Sequence, residues 1–340
     1  MTLKERVEAF AKLGQKISNL TEDEQEMVLI RANSSNGWFD EQSVLSALKG
    51  IGVYLNQDAL DTWVAAYDIP DTVTPKSVLV IMAGNIPMVG FHDALSTLIS
   101  GHKLVAKISS QDTYLMPWLL ETLIEIEPAF KDMITITEGR AEQIEAVIAT
   151  GSDNSARYFE QYFGKYPNII RKNRSSVAVI RGDEDKDVLA KLKDDILMYY
   201  GLGCRNISKV FIPSSFNINL LLEALEPFAI QVRMNHKYQN NYDYNKSIYL
   251  VNKVPHLDNG GIIFRESEEM VSPISVVYYE KYENGAELKQ KLDEIKEKTQ
   301  CVVSSDQWLA ESYNFGQAQF PALHDYADGV DTLKFLIELN

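Results

Sequence analysis

Cysteine is scarce in this sequence: Cys204 and Cys301 are the only two in 340 residues. Two cysteines cannot build a disulfide framework, which points to a reducing compartment. Long apolar runs are missing as well. Stretches such as Val78 to Ala83 fall well short of the roughly 20 residues that cross a bilayer. The opening Met1-Thr2-Leu3-Lys4-Glu5-Arg6 enters an amphipathic pattern without an apolar signal core, so a cytoplasmic protein without membrane insertion is expected. Histidine is sparse too. His92, His102, His236, His256 and His324 show no ligand spacing, so no metal site is expected. Basic residues are outnumbered, 33 against 48 acidic, for a net charge of −15. That average field repels a polyanion, so nucleic acid is not an expected partner.

What is present suffices for two domains: the chain is 45% hydrophobic, ample for full-sized cores. Residues 1–75 read as helices. Leu3, Val7, Phe10, Leu13, Ile17 and Leu20 recur at three and four, and Thr21 to Glu24 has capping-box spacing. This segment is expected to form a helical layer over a sheet. From Ser77 the texture becomes strand–helix alternation, with apolar strands at Val78–Ala83, Lys103–Ile108, Met133–Thr137, Ala146–Thr150 and Ser176–Ile180. Helical patterns at 90–100, 113–129, 139–146 and 153–163 separate them. Continuous apolar strands between helices predict an α/β fold with a parallel sheet covered on both faces.

A second alternating set follows, with helices at 187–200, 216–230 and 286–299 and strands near 208–212, 247–252, 274–279 and 300–304. The expected division is residues 76–183 as a nucleotide-binding domain and 184–310 as a catalytic domain. Residues 311–340 are expected to return to the first domain or to make an oligomer contact.

The chemistry is expected at Gly201-Leu202-Gly203-Cys204-Arg205-Asn206. Glycines beside a cysteine allow a sharp turn and leave room for a substrate carbonyl. A thiol in such a loop is a candidate nucleophile, whereas Cys301, opening the apolar Cys301-Val302-Val303, reads as core. No Gly-x-Gly-x-x-Gly follows the first strand. Instead, polar and glycine residues stand at three strand ends: Gly84-Asn85-Ile86-Pro87, Lys107-Ile108-Ser109-Ser110 and Thr150-Gly151-Ser152. The carboxyl ends of parallel strands are where such sheets bind ligands, and Gly151-Ser152 at a helix start suits a pyrophosphate. Arg171-Lys172-Asn173-Arg174 is a solvated loop or a phosphate contact. His92, the histidine nearest the Asn85 loop, is a core or helix-surface residue before it is a proton donor.

In order and spacing these segments resemble the aldehyde dehydrogenase superfamily. The resemblance implies two α/β domains, with Cys204 as nucleophile and Asn85 as oxyanion-hole donor. It implies Lys107 at the adenosine ribose, and Gly151 and Ser152 at the pyrophosphate. Glu269, in Glu269-Met270-Val271-Ser272-Pro273-Ile274, is similar to the motif whose glutamate holds the nicotinamide ribose, although its neighbour Glu268 leaves the register open. The likeness extends to the LuxC-type acyl-CoA reductases in three segments: Asn36-Gly37-Trp38-Phe39, the Gly-x-Gly-Cys-Arg loop, and Asp325-Tyr326-Ala327-Asp328-Gly329-Val330-Asp331-Thr332.

Two departures sharpen the expectation. Oxidising members carry a water-activating glutamate where this chain has Arg171 to Ser176, which contains no acid. A thioacyl enzyme lacking that base survives to accept a hydride. Members selecting NADH carry a glutamate three residues after the ribose lysine, where this chain has Ser110, with Ser109 and Lys107 nearby. The expected activity is therefore reduction of an acyl-CoA, a fatty acyl group foremost, to the aldehyde. NADPH is the expected cofactor and NADH the alternative. Within the fold the alternatives are a CoA-acylating aldehyde dehydrogenase or an acyl-phosphate reductase; outside it, an acyltransferase or scaffold subunit without reduction. A homo-oligomer or an acyl-transferring partner enzyme stays open.

Overall fold

The computed structural model describes residues 1–340 apart from Glu138, Arg140, Glu142 and Asn340. The chain divides into two compact units, one of residues 1–173 with 322–340 and one of residues 174–321. The expected boundary at 183/184 thus lies inside the second unit. Among the described residues, no helix is long and apolar enough to cross a membrane.

The first unit opens with four helices, α1 (Leu3–Ser18), α2 (Glu22–Ser35), α3 (Glu41–Tyr54) and α4 (Gln57–Val64). Thr2 and Thr21 close reciprocal capping boxes with Glu5 and Glu24, which stop the first two helices from fraying. The apolar stripe of α1 is inside: Phe10 and Leu13 are buried. The sheet behind comprises β1 (Ser77–Ile81), β2 (Lys103–Lys107), β3 (Ile134–Thr137), β4 (Ala146–Thr150) and β5 (Asn168–Arg171). Its strands are all parallel in the order β3-β2-β1-β4-β5. In β4 the residues Ala146 to Ala149 are all fully buried, as a strand covered on both faces requires. Helices α5 (Phe91–Ile99), α6 (Leu115–Ile126) and α7 (Asp153–Phe163) follow β1, β2 and β4. Order reverses at β1, and this topology places a ligand crevice at the strand carboxyl ends there. Ile81 pairs with Lys107 on one side and Ala149 on the other, so those three ends are level.

The second unit holds β6 (Ser175–Val179), helices α8 (Lys186–Ala190) and α9 (Leu192–Leu197), and β7 (Ile207–Pro213). Helices α10 (Asn219–Val232) and α11 (His236–Val251) lead to β8 (Leu257–Asp258), β9 (Ile263–Glu266) and β10 (Val276–Tyr282), followed by α12 (Gly285–Ile295) and β11 (Thr299–Ser304). Strand order is β11-β6-β7-β10-β9-β8, parallel except for β8 against β9.

Three expectations change. Strand β6, grouped by sequence with the first sheet, belongs to the second, where it lies between β7 and β11. The strand expected near 247–252 is the end of α11, whose buried Tyr238, Tyr242, Asn245 and Tyr249 recur at four, three and four. A β-branched, aromatic run there sits on a helical period, and packing follows the period. The helix expected at 139–146 falls partly outside the described residues, and its last residue, Ala146, opens β4.

The last helix, α13 (Thr332–Ile337), belongs to the first unit. It is fastened there through Arg171, which is 4% exposed, pairs with Asp93 at 2.6 Å and donates from Nη2 to Thr332 Oγ1 at 2.7 Å. Tyr326 OH accepts from Trp63 Nε1 at 2.8 Å and shares a hydrogen bond with Tyr67 OH, which donates to Asp331. The Asp325–Thr332 segment therefore serves as a strap over the helical layer. Removing one member of a buried pair strands the other charge, at a cost of about 3–5 kcal/mol. Asp93→Ala is expected to lose about 3 kcal/mol of unfolding free energy by urea titration. A loss below about 1 kcal/mol would show that the pair does not anchor the strap.

Candidate active site

In the second unit, α9 ends at Leu197, and three left-handed residues follow: Tyr199 (φ 51°), Tyr200 (φ 59°) and Gly201 (φ 77°). Such a run reverses the chain within one turn, and glycine is the residue that adopts it without strain. After Leu202, the four residues Gly203-Cys204-Arg205-Asn206 form a tight turn closed by Asn206 N–H donating to Gly203 O at 3.1 Å. Cys204 is exposed at its tip.

Asn206 holds this turn. Its Oδ1 accepts from Gly203 N–H at 2.8 Å, and its Nδ2 donates to Asp195 O at 3.1 Å and Met198 O at 2.9 Å. The carbonyls left open at the end of α9 are thus satisfied by the loop they position. Ser176 adds a third tether, donating from Oγ to Cys204 O at 3.0 Å while accepting from Cys301 N–H at 3.2 Å. It thereby braces the backbone of the Cys204 turn.

Arg205 turns inward. Nη1 donates to Ala318 O at 3.4 Å, and the guanidinium lies 5.4 Å over the Tyr313 ring. Burial works against its charge, but the Cys301 thiol, the Tyr313 hydroxyl and Cys204 outweigh that and raise its pKa. Cys301 is buried, which pushes its thiol up to about 11 despite Arg205. It is a neutral core thiol near pH 7.

Glu269 is exposed, between two anchored neighbours. Lys209 Nζ donates to Glu268 O and Ser208 Oγ to Met270 O, both at 2.8 Å. Lys209 is 1% exposed and also pairs with Glu280, which bonds Lys291. Burial opposes the Glu280 charge, yet the two lysines hold its carboxyl below the ordinary value. The residues just after the Cys204 turn therefore fix the main chain on both sides of Glu269. Burial first, and then Tyr249 and Glu269, push the Tyr278 hydroxyl above its ordinary pKa.

In the first unit, Lys107 ends β2, and Asn85, Ser109, Ser110, Gly151 and Ser152 follow the level carboxyl ends of β1, β2 and β4. Asn85 is half-buried and Ser110 exposed. Lys107 Nζ donates to Gly139 O at 3.0 Å, and Ser109 Oγ accepts from Gln111 N–H at 3.2 Å. A Cβ on Gly84 would come within 2.5 Å of Ser109 Oγ, so glycine lets the two loops close on each other. Gly151 N–H donates to Arg171 O at 3.3 Å, and Ser152 caps α7 through Ser155 N–H. That leaves Asp153 and Asn154 with first-turn N–H groups that have no partner within the helix. A cation, hydroxyls and a helix start at adjoining strand ends suit a dinucleotide phosphate.

Two anchors of these loops escaped the sequence reading. Asp112, 1% exposed, accepts from Met88 N–H at 2.9 Å and Leu115 N–H at 3.0 Å, tying the Asn85 loop to the loop after β2. Asn36 donates from Nδ2 to Gln111 O at 3.1 Å, which gives the Asn36–Phe39 segment its role. In the basic run at 171–174, Arg171 pairs with Asp93, Lys172 with Glu160, and Arg174 donates to Thr299 O. His92 is packed among Tyr54, Trp63 and Tyr326, with Nε2 2.9 Å from Leu323 O.

Residues 7–223 match the family model described as acyl-CoA reductase (LuxC). The chain belongs to the LuxC acyl-CoA reductase family. The match spans Cys204 and every strand-end residue of the first unit, and stops short of Glu269. A long-chain acyl-protein thioester reductase of Aliivibrio fischeri is 25% identical over 183 residues, 49% of this chain and 38% of that protein. The match thus spans less than half of that relative.

The fold is that of the aldehyde dehydrogenases. A Mycobacterium tuberculosis aldehyde dehydrogenase complexed with NAD+ superposes at TM-score 0.67, with 14% identity over 89% of this chain and 73% of that one. The NADP-dependent glyceraldehyde-3-phosphate dehydrogenase of Bacillus halodurans C-125, complexed with NADP, gives 0.66, with 13% identity over 89% and 74%.

If Asn206 is what shapes the Cys204 turn, Asn206→Ala should lower any turnover that depends on Cys204 at least tenfold. Unfolding free energy should fall by about 1–3 kcal/mol, the cost of leaving buried groups unbonded. Unchanged turnover in a stable Asn206→Ala protein would remove Asn206 from the site.

Proposed function

We propose that this chain reduces an acyl thioester, an acyl-CoA with a fatty acyl group foremost, to the aldehyde through a thioacyl intermediate on Cys204. The observation that carries the reading is an exposed thiol on a turn fastened by Asn206 and Ser176, with the Arg205 cation next in sequence. A neighbouring cation favours thiolate, the attacking form. Cys204 Sγ bonds to the thioester carbon, and the pair displaced onto oxygen makes the tetrahedral oxyanion. The Asn85 side-chain amide is assigned to that oxyanion, and one such donor contributes about 3–4 kcal/mol in the transition state. Collapse expels the CoA thiolate and leaves the acyl group on Cys204.

Bound reduced nicotinamide supplies the hydride. The same oxyanion donor serves the resulting thiohemiacetal, which releases the aldehyde and regenerates the Cys204 thiolate. The stretch Arg171 to Ser176, where the resemblance implies that oxidising members carry their base, contains no acid, and Ser176 there is a neutral hydroxyl bonded to Cys204 O and to Cys301. Hydrolysis of the acyl enzyme is therefore slow against reduction. The A. fischeri relative, named for acyl-protein thioesters, supports a thioester as the acyl donor.

Mixing the protein with a panel of acyl-CoAs without cofactor tests this directly. Intact-mass spectrometry should show one acyl adduct, absent from Cys204→Ala, and that variant should keep nicotinamide binding while losing reduction. Adduct formation on Cys301, or more than a few per cent turnover by Cys204→Ala, would overturn the assignment. Acylation of Cys204 without quenching of NADPH fluorescence would instead make the chain an acyltransferase.

NADPH is assigned as the preferred cofactor, held by Lys107, Ser109, Ser110, the Gly151–Ser152 turn and Glu269. Ser110 is exposed and neutral where a glutamate would repel the adenosine 2′-phosphate, and Lys107 adds positive charge. Exchanging like-charge repulsion for charge-assisted bonds is worth about 1–3 kcal/mol, roughly ten- to a hundredfold. The ratio of kcat/KM for NADPH over NADH should exceed one, and Ser110→Glu should reduce it by about tenfold or more. A wild-type preference for NADH, or an unmoved ratio in Ser110→Glu, would refute this register.

A further inference from the structure

We infer that Asp195 is a positioning residue for the nucleophile turn, setting the Arg205 guanidinium through the Gly316–Ala318 segment. The inference rests on Cys204 being the nucleophile. Asp195 lies in α9 with no exposed surface, among Leu192, Ile196, Phe315 and Ala318 of an apolar core. A carboxyl in such a place costs several kcal/mol unless its oxygens are bonded. Both are. Oδ2 accepts from Gly316 N–H at 2.6 Å and Oδ1 from Ala318 N–H at 2.9 Å, more than a hundred residues along the chain.

The segment so held presents the carbonyl of Ala318 to Arg205 Nη1 at 3.4 Å. The main-chain carbonyl of Asp195 itself receives Asn206 Nδ2 at 3.1 Å. One residue therefore reaches both side chains that follow Cys204, Asn206 by direct contact and Arg205 by relay. Arg205 is electrostatically coupled to Cys204, Cys301 and Tyr313, and Cys301 also feels Asp195. If the guanidinium drifts when its carbonyl partner moves, the Cys204 thiolate loses its neighbouring cation. A carboxyl serving stability alone would leave that thiolate unaffected.

The rate of Cys204 alkylation by iodoacetamide, followed across about pH 6–10 in the full chain, reads the thiolate directly. Cys301 is buried, and Cys204→Ser supplies the blank. Asp195→Asn replaces an acceptor oxygen with a donor and strands one N–H. Alkylation near pH 7 should slow about three- to tenfold with a midpoint moved to higher pH, and kcat should fall more than KM changes. Arg205→Ala should give a similar shift, and adding Asp195→Asn to it should give no more. If Asp195→Asn does not fold, Asp195→Ser, smaller and still able to accept one N–H, should show the same direction.

An unmoved alkylation profile in a folded Asp195 variant would reduce the carboxyl to a structural role. A full further shift in the Arg205→Ala background would refute the relay through Arg205. Both outcomes differ from failure of the nucleophile reading, in which wild-type Cys204 alkylates yet takes up no acyl group from acyl-CoA.

Discussion

The arrangement around Cys204 depends on the side chain of Asn206. One amide satisfies the carbonyls at the end of α9, bonds the N–H of Gly203, and so converts a helix terminus into the base of a tight turn. A short loop built on three left-handed residues would otherwise sample many shapes, since residues such as Tyr199 and Tyr200 hold positive φ only when their surroundings enforce it. The amide fits because it offers donor and acceptor together. A carboxylate would repel the carbonyls, and an apolar side chain would leave them buried without partners.

The first unit meets a comparable problem by similar means. Its strand-end loops carry the residues assigned to the dinucleotide, and they are anchored from behind. Asp112 bonds the loop after β1 to the start of α6, while Asn36 reaches from the helical layer to the loop after β2. Burial pushes the Asp112 carboxyl above its ordinary pKa, and the N–H groups it accepts work against that shift. In both units a buried polar side chain bonds backbone groups of an adjacent loop, and the exposed residues at the loop tips are left for chemistry.

Much of this was legible in the sequence. Strand–helix alternation gave the α/β class, and the helical texture of residues 1–75 gave the layer before β1. The glycine-flanked Cys204 and the strand-end residues Asn85, Lys107 and Gly151 stood out because turns and strand ends have local signatures. Long-range partnerships left no such mark. Strand β6 resembles any buried parallel strand, and nothing local says that it pairs with β7 and β11. Helix α11 misled because Ser247 to Val251 has strand-like composition, while the period that decides it runs back to Tyr238. Asp112 and Asp195, and the anchoring role of Asn206, were passed over because a polar residue among other polar residues, as in Ser109 to Thr113 or Lys193 to Asp195, announces neither its burial nor its partner. For Asp195 that partner lies more than a hundred residues away.

Stability alone does not account for these buried polar groups. A bonded buried polar group contributes about 1 kcal/mol net, which an apolar residue of similar volume can match. What it adds is position: a carboxyl or amide is satisfied in one arrangement of its partners, whereas apolar contacts are satisfied in many. Asp195, Asn206 and Ser176 together specify where the carbonyl of Cys204, the N–H of Gly203 and the segment at Ala318 must stand. The acyl enzyme proposed on Cys204 would need a fixed thiol and no basic group aimed at it. Around this cysteine the anchoring atoms are amides, a hydroxyl and a buried carboxyl whose oxygens are both engaged. The bonds that hold the Cys204 turn thus also engage the Ser176 hydroxyl and both Asp195 oxygens, while burial pushes the Asp195 carboxyl up to about 7.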